Sequence, residues 1–122
     1  MDTKSSVILT RRVTITSPNP VVKEDFIKKM GEVIGDIINF LKENGCTKLG
    51  HIKFISTTDG EDYLQLSVLD MKEKARINGI LKSTFGKIKL TFNIIEFGVT
   101  KELIESKISE EIKGLQAYFD NY

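Results

Sequence analysis

The stretch from residue 87 to residue 94 constrains the fold of this chain most strongly. It reads Lys-Ile-Lys-Leu-Thr-Phe-Asn-Ile, so that polar and apolar side chains alternate without exception. A period of two is the spacing of a β-strand, whose successive side chains point to opposite faces of a sheet. We therefore expect a sheet with one buried apolar face and one face that carries lysine, threonine and asparagine.

Three further segments show alternation and predict the rest of the sheet: residues 6–16, 49–57 and 62–69. The last two flank Thr58-Asp59-Gly60, which predicts a hairpin between them. In the first segment Arg11 interrupts the apolar face, and we expect a bulge there.

Apolar residues at helical spacing predict three helices, over residues 20–44, 70–83 and 100–122. Asn19 is the expected N-cap of the first helix, with Pro20 in its first turn. Gly31 and Gly35 lie one turn apart in that helix. Because each glycine costs roughly 1 kcal/mol of helix propensity, we expect another element to approach closely there.

The predicted order is β-α-β-β-α-β-α, and its first six elements match the split βαβ arrangement of ferredoxin-like folds. Right-handed crossovers then give a four-stranded antiparallel sheet in order 4-1-3-2 with two helices on one face. A chain of 122 residues buries roughly two thirds of its surface, enough for one core. The prediction is one α+β domain, with a ferredoxin-like βαββαβ sandwich over residues 1–99 and an additional C-terminal helix over 100–122.

Composition excludes several classes of protein. No run approaches the roughly 18 apolar residues of a membrane span, and the start of the chain lacks a secretory signal, so we expect a cytoplasmic protein without membrane partners. The single cysteine, Cys46, excludes a disulfide scaffold and a cysteine-rich zinc site. We expect no metal and no cofactor. A net charge of +1 argues against nucleic acid as a partner.

In the predicted sheet, the face away from the helices has an apolar end. It consists of Ile8, Ile55, Tyr63, Ile95 and Phe97. We expect the last helix to fold back across it with its own apolar stripe, which is formed by Ile104, Ile108, Ile112, Leu115 and Phe119. This helix is then either a further structural element or half of a homodimer interface, since a bare apolar patch is unusual in a monomer.

The other end of that face is predicted to be basic. Residues 72–89 hold six basic side chains against one acidic side chain. The candidate ligand-binding residues are Arg12, His51, Lys53, Lys87 and Lys89. Such a cluster could hold a phosphate or a carboxylate. The alternative is a solvated edge whose charge discourages aggregation of strands.

No catalytic residue is predicted. His51 is the only histidine and has no carboxylate among its predicted neighbours, so a surface histidine is the preferred interpretation over a general acid or base. A Cys46–His51 dyad is not expected, because the two residues lie five positions apart along an extended segment. The motifs of phosphate-binding loops, dinucleotide sites, zinc proteases and serine hydrolases are missing from the sequence. The chain is therefore more readily understood as a binding protein than as an enzyme.

Two motifs, Leu49-Gly50-His51-Ile52-Lys53 and the segment 93–99, resemble small uncharacterised proteins of methanogenic archaea. A bias toward 16 isoleucines and 15 lysines accompanies them. The resemblance implies no activity.

The leading hypothesis is a cytoplasmic interaction module that forms a homodimer. An alternative from another class is a small enzyme or sensor that binds an anionic metabolite on the basic half of the sheet. RNA binding is the third hypothesis, because the strands lack the aromatic pattern of ferredoxin-like RNA-binding domains.

Overall fold

The computed structural model describes residues 6–59 and 62–122, and these form five strands and two helices. The strands are β1 (Val7–Val22), β2 (Lys48–Thr57), β3 (Tyr63–Val68), β4 (Arg76–Ile80) and β5 (Thr84–Phe97). The helices are α1 (Lys23–Glu43) and α2 (Lys101–Asp120). All strands belong to one antiparallel sheet in order β1-β5-β2-β3-β4. The α+β class is confirmed, whereas the ferredoxin-like arrangement is not, because the strand order and the number of helices differ.

The difference begins in residues 70–83, which form a turn and strand β4 instead of the predicted second helix. The side chain of Asp70 accepts from the Lys72 N–H at 2.8 Å and its carbonyl accepts from the Glu73 N–H at 3.1 Å. Asp70, the first residue of the predicted helix, therefore closes a turn. Asn78 and Gly79 are weak helix formers, and Gly79 adopts a φ of +101°. Without a crossover helix, β4 pairs with β3 as a neighbouring strand.

Strand β5 then returns to the centre of the sheet. Its residue Leu90 pairs with Val13 of β1 on one side and with Ser56 of β2 on the other. With β5 between them, β1 and β2 run in the same direction. The start of β2 therefore lies at the same end of the sheet as the start of β1, which puts His51 at the end opposite to Lys87. The predicted 4-1-3-2 order also runs these two strands in the same direction, so the expected placement of His51 at the basic end is wrong in either arrangement.

The first strand is longer than predicted and carries no bulge at Arg11. Its pairing with β5 is continuous from Val7 to Thr16, and the irregularity comes after Thr16. The Arg11 guanidinium donates to the Ser109 hydroxyl of α2 at 3.3 Å, which accommodates the charge on the helix side of the sheet. The expected N-cap at Asn19 is also wrong.

Helix α1 begins at Lys23, after Val22, while the Asn19 side chain donates to the Tyr122 carbonyl at 3.1 Å. The predicted end of α1 is confirmed, with Asn44 as C-cap and Gly45 at a φ of +96°. The predicted start of the last helix is also confirmed, because the side chain of Thr100 accepts from a backbone N–H of the first turn.

Helix α2 packs on the same face of the sheet as α1. Phe119 lies with its ring centroid 6.2 Å from that of Phe26 in α1. The apolar residues Ile104, Ile108 and Leu115 of α2 are buried in the same core. The prediction that this helix folds across the opposite face is wrong. A turn at Gly98, with a φ of +117°, and the buried Val99 direct the chain toward the side of the sheet that α1 occupies.

The two glycines of α1 face open space instead of a packed element. A Cβ built on Gly31 or Gly35 would meet nothing within 4 Å. The expected close approach is therefore absent, and the two residues carry their cost in helix propensity without a contact that offsets it. No helix in the described part of the chain has the length and apolar character needed to cross a membrane.

Candidate functional site

Both helices cover one face of the sheet, and the other face, here called the open face, is not covered by any described part of the chain. Alternation along β1, β2, β3 and β5 assigns their residues, since the sequence neighbours of these residues pack in the core. Strand β4 is exposed throughout, and its register with β3 assigns its residues. The open face consists of Ile8, Thr10, Arg12, Thr14 and Thr16 of β1, Lys87, Lys89, Thr91, Asn93, Ile95 and Phe97 of β5, Lys48, His51, Lys53, Ile55 and Thr57 of β2, Tyr63, Gln65 and Ser67 of β3, and Arg76, Asn78 and Ile80 of β4.

The pairing register arranges the centre of the open face in rows that cross β1, β5 and β2. From one end to the other, these rows are Thr16–Lys87, Thr14–Lys89–Thr57, Arg12–Thr91–Ile55, Thr10–Asn93–Lys53 and Ile8–Ile95–His51. Paired residues on neighbouring strands have Cβ atoms about 5 Å apart, so side chains within a row are in contact range.

All formally charged side chains on the described open face are basic: Arg12, Lys48, Lys53, Arg76, Lys87 and Lys89. Arg76 forms an ion pair with the nearby Glu73 at 3.7 Å, and the other five form none with a described residue. Cationic groups without a carboxylate partner produce a positive potential over this face.

Arg12 and Lys89 form the centre of the predicted basic cluster. They line one depression of about 420 Å³ together with the hydroxyl-bearing residues Thr14, Thr57 and Thr91. A guanidinium, an ammonium and hydroxyl donors around one concavity are the groups that hydrogen-bond a phosphate or a carboxylate. Of the predicted cluster, the structure brings Arg12 and Lys89 together around this depression.

Lys87 lies one row further along and lines a separate depression of about 370 Å³, beside Asp59 and Lys82. The Asp59 carboxylate accepts from Lys82 Nζ at 2.6 Å. This hydrogen bond is the main cause of a lowered pKa of Asp59, to which the charge of Lys87 adds a smaller contribution. Lys87 is thus part of the basic face but not of the Arg12–Lys89 depression.

His51 is at the opposite end of the open face from Lys87, contrary to the prediction. The structure places it in the row of Ile95, because residues 51–57 pair continuously with β5; the bulge at Gly50 shifts only the residues before it. A Cβ on Gly50 would lie 2.9 Å from Ile95 atoms. His51 Nε2 is 2.5 Å from Oδ1 of Asn93, whose Nδ2 donates to Thr10 Oγ1 at 2.8 Å.

The Asn93 hydrogen bonds tie three strands together and hold His51 two rows away from Arg12. Lys53 lies between them, in the row of Asn93. Of the five predicted ligand-binding residues, Arg12 and Lys89 share a depression, Lys53 and Lys87 flank it in the adjoining rows, and His51 is separate.

The predicted apolar group is divided by the observed strand order. Ile8, Ile95 and Phe97 lie at one end of the open face, Ile55 lies in the middle row, and Tyr63 lies at the far end. The α2 stripe is occupied within this chain: Ile104, Ile108, Leu115 and Phe119 are buried, and Ile112 packs partly buried against the core. The α2 stripe is therefore occupied within the chain, whereas the interface residues of the open face and the homodimer stay predictions.

Cys46 and His51 do not form a dyad. Cys46 packs against the core near Glu96, and burial is the main reason why the pKa of its thiol is raised, which disfavours a nucleophilic thiolate. Glu96 is fully buried; one carboxylate oxygen accepts from the Val99 N–H at 3.1 Å, and the other has no partner among the described residues. Desolvation raises the pKa of Glu96.

Sequence reasoning missed Glu96 and Asn93 as structural residues. The signal for Glu96 is present, because it continues the even-numbered apolar series 88, 90, 92 and 94 and therefore points into the core. Asn93 was assigned to the correct face, but its bonds to Thr10 and His51 depend on which strands flank β5. No protein-family model matches this chain, and comparisons with curated proteins and with solved structures likewise gave no significant match.

Proposed function

We propose that this protein is a binding module that takes an anionic ligand, carrying a phosphate or carboxylate group, on the open face of its sheet. Arg12 and Lys89 make the principal contacts, and Thr14, Thr57 and Thr91 supply hydroxyl donors. A planar guanidinium binds two oxygens of such a group at once, whereas an ammonium adds a point charge. The site therefore orients and neutralises one anionic group.

One observation carries the proposal: the open face collects cationic side chains and leaves carboxylates out. The acidic residues of the chain are not scarce, since α1 carries five carboxylates beside four lysines and α2 five beside three. These ten carboxylates lie on the helix layer, whereas Asp59 lies beside Lys87 in the depression at one end of the open face. Exposed charges of one sign on one face raise the local concentration of counter-ions, and anionic ligands benefit from the same potential.

The arrangement favours binding over catalysis. His51, the only histidine of the chain, is held by Asn93 two rows from Arg12. A general base must come within hydrogen-bond reach of the proton it removes. A ligand group held between Arg12 and Lys89 does not meet that condition.

Thermal-shift measurements and calorimetric titration with inorganic phosphate, pyrophosphate and succinate test this proposal. We expect at least one of these anions to raise the Tm of the wild-type chain, by the mass-action stabilisation of the folded state. The double variant R12A/K89A should lose the shift. The control variant K28A/K113A removes the same charge from exposed sites on α1 and α2 and should keep it. Equal shifts in both variants, or no shift in the wild type, would contradict the proposal.

A further inference from the structure

The cationic side chains of the open face recur with a regular spacing along the sheet. Four successive rows each contribute one of them from the three central strands: Lys87, Lys89, Arg12 and Lys53. Adjacent rows are two residues apart along β5, which corresponds to about 6.8 Å. The series from the Lys87 row to the Lys53 row therefore extends over about 20 Å, much longer than one phosphate or carboxylate group.

This repeat matches the covalent repeat of a nucleic-acid strand. Two residues of a polypeptide contain as many backbone bonds as one nucleotide, so two extended chains advance by similar steps. A strand of nucleic acid laid along β5 can place one phosphate near the cation of each row. The long side chains of Arg12 and Lys53 start from β1 and β2, one strand to either side of β5, and their flexible stems let the charged ends reach a strand that lies over β5.

A small metabolite would use only part of this series. Sites for small ligands are concave and converge on the ligand, whereas Lys53 and Lys87 lie outside the depression of Arg12 and Lys89. Proteins that bind single strands combine a basic track for the backbone with exposed surfaces for the bases. The open face provides Tyr63, with 44% of its surface exposed, beside the Lys89 row.

The net charge of +1 does not oppose this inference, because the charges are separated between two layers. Both helices carry more carboxylates than lysines, and they lie on the other side of the sheet. With a Debye length of about 8 Å at physiological ionic strength, a ligand on the open face is largely screened from the helix layer. The local charge of the face, rather than the sum over the chain, determines the attraction.

We propose that the open face binds a single strand of DNA or RNA along β5, with one phosphate in each row from Lys87 to Lys53. This inference rests on the proposed function, since it gives the anionic ligand its chemical class. Few aromatic side chains are present on the face, so the ionic contacts dominate and binding tolerates different base sequences.

Fluorescence anisotropy with labelled twelve-nucleotide oligo(dT) and oligo(U) tests the proposal over a range of salt concentrations. Four phosphate contacts predict a slope of log K against log[salt] of about −2.8, or a loss in affinity of roughly 50-fold between 50 and 200 mM salt. The variant K53A/K87A keeps Arg12 and Lys89, so its slope should fall to about −1.4. The control K28A/K113A should bind like the wild type.

The outcomes separate the inference from the function on which it rests. A response of K53A/K87A to inorganic phosphate like that of the wild type, with a weakened response to the oligonucleotides, supports both. Oligonucleotide binding with a slope near that of one phosphate, binding that ignores Lys53 and Lys87, or tighter binding to a duplex of the same length overturns the inference alone. No binding of any anion overturns both. Circular dichroism on each variant shows that a loss of binding does not come from unfolding.

Discussion

The two faces of the sheet come from the same strands but are held to different requirements. On the covered face, the residues of β5 at positions 88, 90, 92 and 94 are all at most 2% exposed. They belong to the same hydrophobic core as the buried residues of both helices. On the open face, the residues between them are lysine, threonine and asparagine, exposed or half-buried. The covered face is specified by packing, whereas the open face has no packing partner in the chain. Packing within the chain therefore does not constrain the residues of the open face, and they are available to contact a ligand.

The largest difference in stability is expected between substitutions at two neighbouring residues of β5, one on each face. Phe92 is 1% exposed and stacks with Phe54 at a centroid distance of 4.5 Å. The substitution F92A should lower the free energy of unfolding by about 3–5 kcal/mol, because it removes buried area and leaves a cavity. T91A, one residue away on the open face, should change it by less than about 0.5 kcal/mol. Urea denaturation measures both, and comparable losses would break the distinction between the faces.

The second prediction concerns the polar residue on the covered face, Glu96. Its folded pKa is raised above the unfolded value, chiefly by desolvation. The protonated carboxyl therefore contributes stability that is fully present below the unfolded pKa and is lost as the pH rises through the folded pKa. E96Q keeps an oxygen acceptor for the Val99 N–H but cannot ionise.

Relative to E96Q, the wild type should therefore lose stability as the pH is raised from 4 to 8, by a difference on the order of 1–3 kcal/mol, the cost of a poorly satisfied buried polar group. Denaturation curves of both proteins across this range provide the measurement. E102Q, at an exposed position of α2, is the matched control and should show no comparable trend. A constant difference between E96Q and the wild type would show that Glu96 does not titrate differently in the fold.

Among the polar residues of the open face, Asn93 should contribute most to stability. It links Thr10 of β1 to His51 of β2 through its side-chain amide. N93A should lower the free energy of unfolding by about 1 kcal/mol, since the lost bonds are partly replaced by water. Chemical denaturation of N93A and T91A, measured side by side, gives the contribution of the hydrogen bonds that the Asn93 side chain makes. An N93A variant as stable as T91A would mean that the bridge adds nothing.

The smallest change in stability is expected at the two glycines of helix α1 that face open space. G31A and G35A should each raise the stability by about 0.5–1 kcal/mol, because alanine is the better helix former and a Cβ meets nothing within 4 Å at either position. G98A is the opposite case, since its Cβ would clash with the Gly45 carbonyl oxygen and its φ is +117°. Thermal denaturation of the three variants checks both signs. A destabilised G31A would indicate a contact at α1 from outside the described chain.

Much of the local structure was predictable because it depends on short-range periodicity. The alternation of residues 87–94 assigned the face of each side chain in β5 correctly, and Asn44-Gly45 and Thr100 marked the ends of helices. The segment 70–83 was mistaken because its apolar spacing suits a helix, while its contact with β3 favours a strand. The residue pattern within the segment does not show that the edge of β3 is available for pairing with it.

The sequence by itself determined the α+β class, the two long helices, and the polar and apolar faces of the central strands. Only the tertiary structure decided the strand order, the position of α2 beside α1, and which of the candidate basic residues share a depression. The physical reason is that periodicity fixes which face a side chain points to. The choice of neighbouring strand depends instead on hydrogen bonds and apolar contacts between segments far apart in the chain.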